Sequence, residues 1–568
     1  MKHFWKISSI ASVFVLFCIM NVWLEAVDFS GAYQRAKDAA MSSMNKAKGA
    51  VTSVIDKGKS VATSAQEAAS GAAKSLLGTD QIAIKRNPYK DTIATVRVGN
   101  ELHPEERAFL AKRKPKVKIA LEKMLNRSLS DSQVPTIAIV GSGGGYRAML
   151  GTIGSLIAAE KIGILGATTY ITALSGATWA LAPLVSTGMS LSQFKNYIKQ
   201  NITKDIHVAS VTEAKNIVDM LTVKLVFDEP ITIVDIYGGL LANRLLSHYG
   251  ADCQRVYLSQ QAERVKNADI PYPIYTAIDA REVVSREPHW FEFTPHEIGT
   301  PYFGVYVPTW SYGRKFNAGK SITFDPEQPL GFQMGTFGSA FGVHFGRAWD
   351  EVTAKIPSVI IKPMIEKKLV DPNYGKRVTT SWATVFNFMY GMPNQELKGR
   401  ETIKFVDAGI DFNLPYPPVS GERPERKADI MLFLDFSGGS LVSSLKKTEE
   451  YARRKGLKFP KIDYTDIETK SISIFRDSAD SSVPVIVYLP RVSEKGLWQA
   501  NKSNPQFAQY RSIEGFDFTP CTNGGFCDTP HFQYTLKQSE QLIDQMEFNV
   551  MVNKDKIIDV INWVIDRK

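Results

Sequence analysis

Two strand–turn–helix segments hold the residues whose types and spacing could do chemistry. Pro135–Thr152 reads PTIAIVGSGGGYRAMLGT: an apolar strand over Thr136–Val140, a glycine-rich turn over Gly141–Gly145, then a helix opening at Tyr146. Tyr170–Trp179 reads YITALSGATW, and a strand over Thr168–Leu174 turns sharply at Ser175 into a second helix. A serine on a tight strand-to-helix turn has its hydroxyl pushed clear of the backbone, where it can attack an acyl carbon. A glycine turn over a helix N-terminus offers backbone N–H groups, and the positive end of a helix dipole, to an oxyanion. A nucleophile beside a charge stabiliser is what acyl transfer requires.

Each segment alone is open to a plainer reading. No GK[ST] follows the glycines, which argues against a P-loop, and Tyr146 stands where a dinucleotide fingerprint has its third glycine. Ala173 and Ala177 replace the glycines of a G-x-S-x-G elbow, so ALSGA by itself fits a buried serine in an Ala-rich junction equally well. A third segment, Phe405–Pro418, reads FVDAGIDFNLPYPP and sets Asp407 at a turn before a proline-rich loop. An Asp-Ala-Gly turn in isolation is ordinary turn chemistry.

In this order the glycine loop, the Leu-Ser-Gly-x-x-Trp elbow and the Asp-x-Gly-x-x-Phe-Asn-Leu-Pro segment resemble the catalytic domain of cytosolic phospholipase A2. The patatins and the fungal phospholipase B enzymes share its Ser–Asp logic. Further matching blocks are Phe291–Gly304, Phe332–Arg347, Ala383–Met392 and FNVMVNKDKI near the C-terminus, so the resemblance runs from Glu101 to Lys568. It implies an α/β fold, a patatin-like three-layer sheet flanked by helices with lid-like insertions. It also implies Ser175 as nucleophile, Asp407 as its base with no intervening histidine, and Gly144 and Gly145 as the oxyanion-hole glycines. Arg147 matches an arginine beside the dyad that holds the lipid phosphate. Arg426, in Arg423-Pro-Glu-Arg426, resembles the end of an R-P-x-R segment with a substrate-binding role, in a loop one residue longer here. The activity implied is phospholipid acyl-ester hydrolysis, as phospholipase A2 or lysophospholipase. Hydrolysis or acyl transfer on other esters, and a silent lipid-binding relative, stay open as alternatives.

Physical chemistry allows such a dyad. A carboxylate with a pKa of about 4 is a weak base in water, but desolvation raises its basicity and a serine hydrogen bond aligns the transfer. An oxyanion donor lowers the barrier by about 3–4 kcal/mol, so the glycine loop must carry much of the work. Among the eight histidines, His207, His289, His296, His344 and His531 included, none sits in an evident triad segment. His344, in GVHFGR, is the one to watch.

The 568 residues, 44% of them hydrophobic, suffice for a large α/β core. A net charge of +10 suits anionic lipid surfaces, and the absence of basic runs interleaved with aromatics argues against nucleic acid. Residues 1–27 hold the apolar run Ile7–Leu24 after Lys2 and Lys6 and read as a signal peptide or membrane anchor, implying a secreted or exported protein. Residues 28–100, rich in Ala, Ser, Lys and Gly, read as an amphipathic or disordered spacer with affinity for a membrane surface, and 101–568 as the catalytic body. Glu106–Leu125 is helical in pattern but broken at Pro115, and the proline- and lysine-rich stretch 356–377 stands where the family carries its lid. Cys521 and Cys527 flank an Asn-Gly-Gly turn that a disulfide could close, and no CxxC, HExxH or EF-hand pattern asks for a metal or other cofactor. The region before Glu101 is too short and too poor in β pattern for the family's calcium-binding membrane domain. The sequence leaves the oligomeric state open.

Overall fold

The computed structural model describes residues 86–206, 208–280, 288–340, 382–393, 396–438, 441–491, 495–516 and 525–568. The leader, the spacer up to residue 85, the stretch 356–377, His207, His344 and Cys521 all lie outside them. The chain divides into two units. One comprises Met1–Pro88, Ala209–Ile231 and Arg347–Tyr374, and the larger comprises Tyr89–Val208, Thr232–Gly346 and Gly375–Lys568. The larger unit carries every candidate residue named above.

Its strands are β1 (Arg97–Val98), β2 (Ile137–Gly141), β3 (Tyr170–Ala173), β4 (Tyr272–Asp279), β5 (Trp290–Phe293), β6 (Glu297–Thr300) and β7 (Val305–Pro308). They continue with β8 (Phe316–Asn317), β9 (Lys320–Ser321), β10 (Ala383–Phe386), β11 (Thr402–Asp407), β12 (Ile430–Asp435), β13 (Ser473–Phe475) and β14 (Val485–Pro490). Twelve of these form one sheet in the order β1-β7-β6-β5-β4-β3-β2-β12-β14-β13, with β11 joined to β4 and β10 joined to β11. The pairs from β4 through β3, β2 and β12 to β14 are parallel. Sequences such as IAIVG in β2 and VIVYLP in β14 show no polar alternation and are buried throughout, as a sheet covered on both faces requires.

The helices that bear on the site are α1 (Pro104–Leu125), α2 (Gly145–Lys161), α3 (Gly176–Thr187), α4 (Leu330–Phe337) and α5 (Leu536–Val552). Pro115 does not break α1, contrary to the sequence reading. The proline is exposed, so the carbonyl it cannot satisfy faces water, while Phe109, Arg113, Val117 and Leu121 keep an i, i+4 stripe on the core. Arg113 anchors that stripe: its guanidinium, buried, donates to the carbonyls of Leu165, Gly166, Thr168, Ala268 and Asp269. α2 and α5 touch closely because Gly154 has no side chain; a Cβ there would stand 2.2 Å from the Ile543 carbonyl oxygen.

One edge of β4 is used twice. Its first half pairs with β3, ending at Ala173 opposite Tyr275, and its second half pairs with β11, with Asp407 opposite Ala277. The opposite edge is taken by β5 over Tyr275–Ile278, so β11 must occupy the lane that β3 vacates as the chain leaves it toward Ser175.

Candidate active site

Ser175 follows β3 and precedes α3 with φ 46° and ψ −126°, a backbone conformation that costs a non-glycine residue about 1–3 kcal/mol. The turn is held on both sides: Ala177 N–H donates to the Leu174 carbonyl at 3.1 Å, and Thr178 N–H and Oγ1 donate to the Ser175 carbonyl at 2.9 and 2.6 Å. The following glycine is forced by contact, since a Cβ on Gly176 would lie 2.1 Å from the Gly145 carbonyl oxygen. The start of α3 therefore rests directly on the glycine loop. Alanines at 173 and 177 suffice around the elbow because both are fully enclosed and the tightest approach falls on Gly176.

The loop itself runs Gly143–Gly145 between β2 and α2. Gly144 and Gly145 take φ of 140° and 60°, values that favour glycine. The Gly143 N–H is bonded to Asn413 Oδ1 at 3.0 Å, whereas the amides of Gly144 and Gly145 donate to no described group. Gly143 lies against the serine: a side chain there would meet Ser175 Cβ at 2.7 Å. Two unspent amides thus stand at the N-terminus of a 17-residue helix, beside the serine.

Asp407 closes β11 and is buried. Its Oδ1 accepts from the Gly409 N–H at 2.8 Å, and its own N–H donates to Ser339 Oγ at 3.2 Å. Desolvation pushes its pKa up to about 6, against the opposing pull of the Gly409 amide, the Ser175 hydroxyl and the Ala340 amide. Its Oδ2 is buried and accepts no hydrogen bond from a described group. Catalytic hydrogen bonds commonly tighten only with substrate in place. None of the groups acting on this carboxyl is a histidine.

Arg147 is 1% exposed and is held by the fold: Nε donates to the Phe436 carbonyl at 2.8 Å, Nη1 to the Cys527 carbonyl at 2.5 Å, and Nη2 to Thr529 Oγ1 at 3.2 Å. Burial lowers its pKa to about 10. A side chain on Gly144 would run into its Nη2, so the cation lies against the loop. Cys527, whose carbonyl it takes, is disulfide-bonded.

Arg426 is committed elsewhere. It forms a two-pronged ion pair with Glu106, Nε–Oε1 at 2.6 Å and Nη2–Oε2 at 2.7 Å, and a further pair with Glu292. Arg423 joins the same buried cluster through Glu292 at 3.1 Å and Glu297 at 3.0 Å, and Arg97 and Arg423 each stand 4.5 Å from the Tyr306 ring. The cluster ties α1 to β5, β6 and the loop after Asp407. Glu106 is held below the usual carboxylate range by Arg426, against strong desolvation, and Arg426 is raised by the same pair. A substrate-binding role read from the sequence gives way here to an ion pair in the core.

Sequence reasoning missed Asn413 as a functional residue, although it quoted the Asn-Leu-Pro segment that holds it. Its Oδ1 takes the Gly143 N–H, and its Nδ2 donates to the Gly143 carbonyl at 3.0 Å and to Ser437 Oγ at 2.8 Å. Ser437 in turn donates to Asp435 Oδ1 at 2.6 Å, and Tyr488 donates to Asp435 Oδ2 at 2.8 Å. The signal was its place, six positions after the acid and just before the apolar, proline-rich run Leu414–Pro418.

A family model of the lysophospholipase catalytic domain matches residues 137–466, from β2 through the elbow and the acid. The chain belongs to that family. It is 27% identical to cytosolic phospholipase A2 zeta of Mus musculus, over 83% of this chain and 63% of the relative. It is 25% identical to cytosolic phospholipase A2 epsilon of Homo sapiens, over 86% of this chain and 63% of that protein. It thus spans less than two thirds of the length of these relatives. Among solved structures, human GIVD cytosolic phospholipase A2 superposes with a TM-score of 0.71 at 22% identity, covering 83% of this chain and 68% of the other, which establishes the α/β fold. The export reading of Ile7–Leu24 is corrected by these findings: the relatives that cover most of the chain are named cytosolic, which points away from a secreted protein. Among the described residues, no helix is long and apolar enough to cross a membrane.

Proposed function

We propose that the protein hydrolyses phospholipid acyl esters, as a phospholipase A2 or a lysophospholipase, at a membrane or micelle surface. The reading is carried by one observation: a strained serine beside two unspent loop amides and a buried carboxylate whose pKa stands at about 6. Asp407 takes the proton of the Ser175 hydroxyl as Oγ attacks the acyl carbon. The oxygen that gains charge is met by the N–H groups of Gly144 and Gly145, with the α2 dipole behind them. When the tetrahedral adduct collapses, Asp407 returns the proton to the departing alkoxide, leaving an acyl-serine and the deacylated lipid alcohol. Water, deprotonated by the same carboxylate, then releases the fatty acid and restores the serine.

Arg147 fits this scheme as a buried positive charge next to the loop, favouring the anionic intermediate, with its fork already spent on two carbonyls and a hydroxyl. A related solved structure is described as a complex of human GIVD cytosolic phospholipase A2 with methyl gamma-linolenyl fluorophosphonate, which recommends the same reagent class as a probe. A fluorophosphonate should label Ser175, and Ser175→Ala should abolish both labelling and release of fatty acid from phospholipid. Labelling at another residue, or turnover surviving within about tenfold, overturns the reading.

A further inference from the structure

The segment around Thr95 and the β8–β9 hairpin form an outward face that the catalytic scheme does not use. Thr95 bridges Lys320 in antiparallel register, and the Val96 N–H to Gly319 carbonyl and Ser321 N–H to Ala94 carbonyl bonds (2.8 and 2.9 Å) extend the pairing. That register sets Ile93 opposite Ile322. On the other side, the β8–β9 hairpin pairs Phe316 with Ser321, so Lys315 comes level with Ile322, and the Ile322 N–H donates to its carbonyl at 2.8 Å.

The inward residues of this ribbon are what a core wants: Ala94, Phe316 and Ser321 are buried. The outward ones are not what water wants. Ile93 is 56% exposed, Ile322 60% and Phe324 40%. Lys90, three residues before Ile93, and Lys320, in the ribbon itself, are exposed, and the Lys315 ammonium lies 4.7 Å from the Phe386 ring. Two acids near the ribbon in the chain or in the strand pairing, Asp91 and Glu401, are exposed, while Asp325 is buried and acts electrostatically on Arg314 and Lys315. The face is also rigid. Arg314, buried, donates to the carbonyls of Thr92 at 2.7 Å, Tyr89 at 2.8 Å and Asp325 at 2.9 Å, and stacks at 4.9 Å on Trp310, which stacks at 4.3 Å on Tyr89. A rigid apolar face fringed by lysines is complementary to the boundary between acyl chains and anionic headgroups.

Its direction agrees. β2 and β3 end at Gly141 and Ala173, and Ser175 stands off that C-terminal edge of the sheet. β11 enters from beyond the same edge, because Phe405 already pairs with Asp279, the last residue of β4, and Thr402 lies further out. Phe386 pairs with Thr402, about 17 Å along the strand from Asp407. Lys315, over Phe386, therefore brings the ribbon to the side of the sheet on which the serine lies.

We infer that Ile93, Ile322 and Phe324, with Lys90, Lys315 and Lys320, dock the protein on an anionic lipid leaflet, an inference that rests on the phospholipid reading above. The test uses the full chain carrying Ser175→Ala, so that bound lipid persists, and measures co-sedimentation with vesicles of phosphatidylcholine alone or with phosphatidylserine. Ile93→Ser with Ile322→Ser should weaken binding to both vesicles by about tenfold or more. Lys315→Gln with Lys320→Gln should weaken binding to the anionic vesicles alone, by about fivefold per lysine, a loss that shrinks with added salt. The same substitutions in the active chain should leave turnover of a soluble aryl ester, and of phospholipid dispersed in detergent, unchanged. Parent-like vesicle binding by both folded variants, or no vesicle binding by the parent, overturns the docking face. Failure of the active parent on detergent-dispersed phospholipid overturns instead the phospholipid reading on which it rests.

Discussion

Asn413 holds Gly143 by both ends of its amide, accepting the glycine N–H and donating to its carbonyl, each at 3.0 Å. The side chain does for one glycine what a neighbouring strand would do, and it fixes the loop whose next two amides are unspent. Because Asn413 belongs to the segment that follows Asp407, the loop and the acid are set by the same stretch of chain. Asn413→Ala removes three hydrogen bonds and frees the Gly143 amide. Turnover should fall by about 10²–10³, the loss typical of a misplaced oxyanion donor, while the substrate KM changes little. Asn413→Asp keeps the acceptor but cannot donate to Gly143, and should fall between parent and alanine variant. Steady-state kinetics on one ester separates the three.

The acid makes its own pH profile. The proposed base must be ionised to act, so the acidic limb of activity should fall with an apparent pKa near 6, far above the usual value for an aspartate. A profile flat down to pH 4.5 would contradict the assignment.

Burying that carboxylate also costs stability. Its folded pKa is raised from 3.8 to about 6, so the protonated form is favoured by folding, and stability is lost as the pH rises through that window. Asp407→Asn removes the cost. The variant should be inactive yet more stable at pH 8, by an amount of order 2–3 kcal/mol, with the gain shrinking toward pH 4. Urea melts of both proteins at pH 5 and pH 8 measure it.

Arg147 now carries a different expectation from the headgroup contact implied by its motif. Held by the carbonyls of Phe436 and Cys527, it should affect every ester alike: Arg147→Ala should lower turnover of a neutral aryl ester as much as that of a phospholipid. A loss confined to the phospholipid would restore the phosphate contact.

The Glu106–Arg426 pair is buried on both sides, so removing one partner strands the other. Arg426→Met should destabilise the protein by about 3–5 kcal/mol, and Glu106→Gln combined with Arg426→Met should recover much of the loss. Active-site titration of the refolded variants should still find one labelled serine per chain.

The turns that hold Ser175, the glycines and Asp407 were legible in the sequence because a turn is local, while the roles proposed for these residues rested on the family resemblance. The strands of the core were legible for a similar reason, as in β2, where Thr136–Val140 was expected and Ile137–Gly141 is found. Arg426 was misread because its partners, Glu106 and Glu292, are remote in sequence, and a guanidinium paired with a buried carboxylate looks, as a letter, like one awaiting a phosphate. Pro115 was misread because propensity cannot see that its orphaned carbonyl faces water. Asn413 was hidden by the same distance, its partner lying across the sheet in the first glycine loop.

The shared edge of β4 bears on what happens while the chain is being made. The elbow, the glycine loop and the lane beside β4 are all synthesised before residue 402, but the strand that fills the lane brings Asp407 with it. A nascent chain arrested before β11 displays an open strand edge, a surface that pairs readily with other chains. It also carries Ser175, the proposed nucleophile, before Asp407, the proposed base, has been made. Closing the sheet and bringing the proposed base to the serine are then one event, so a chain that has not finished its core lacks the proposed dyad.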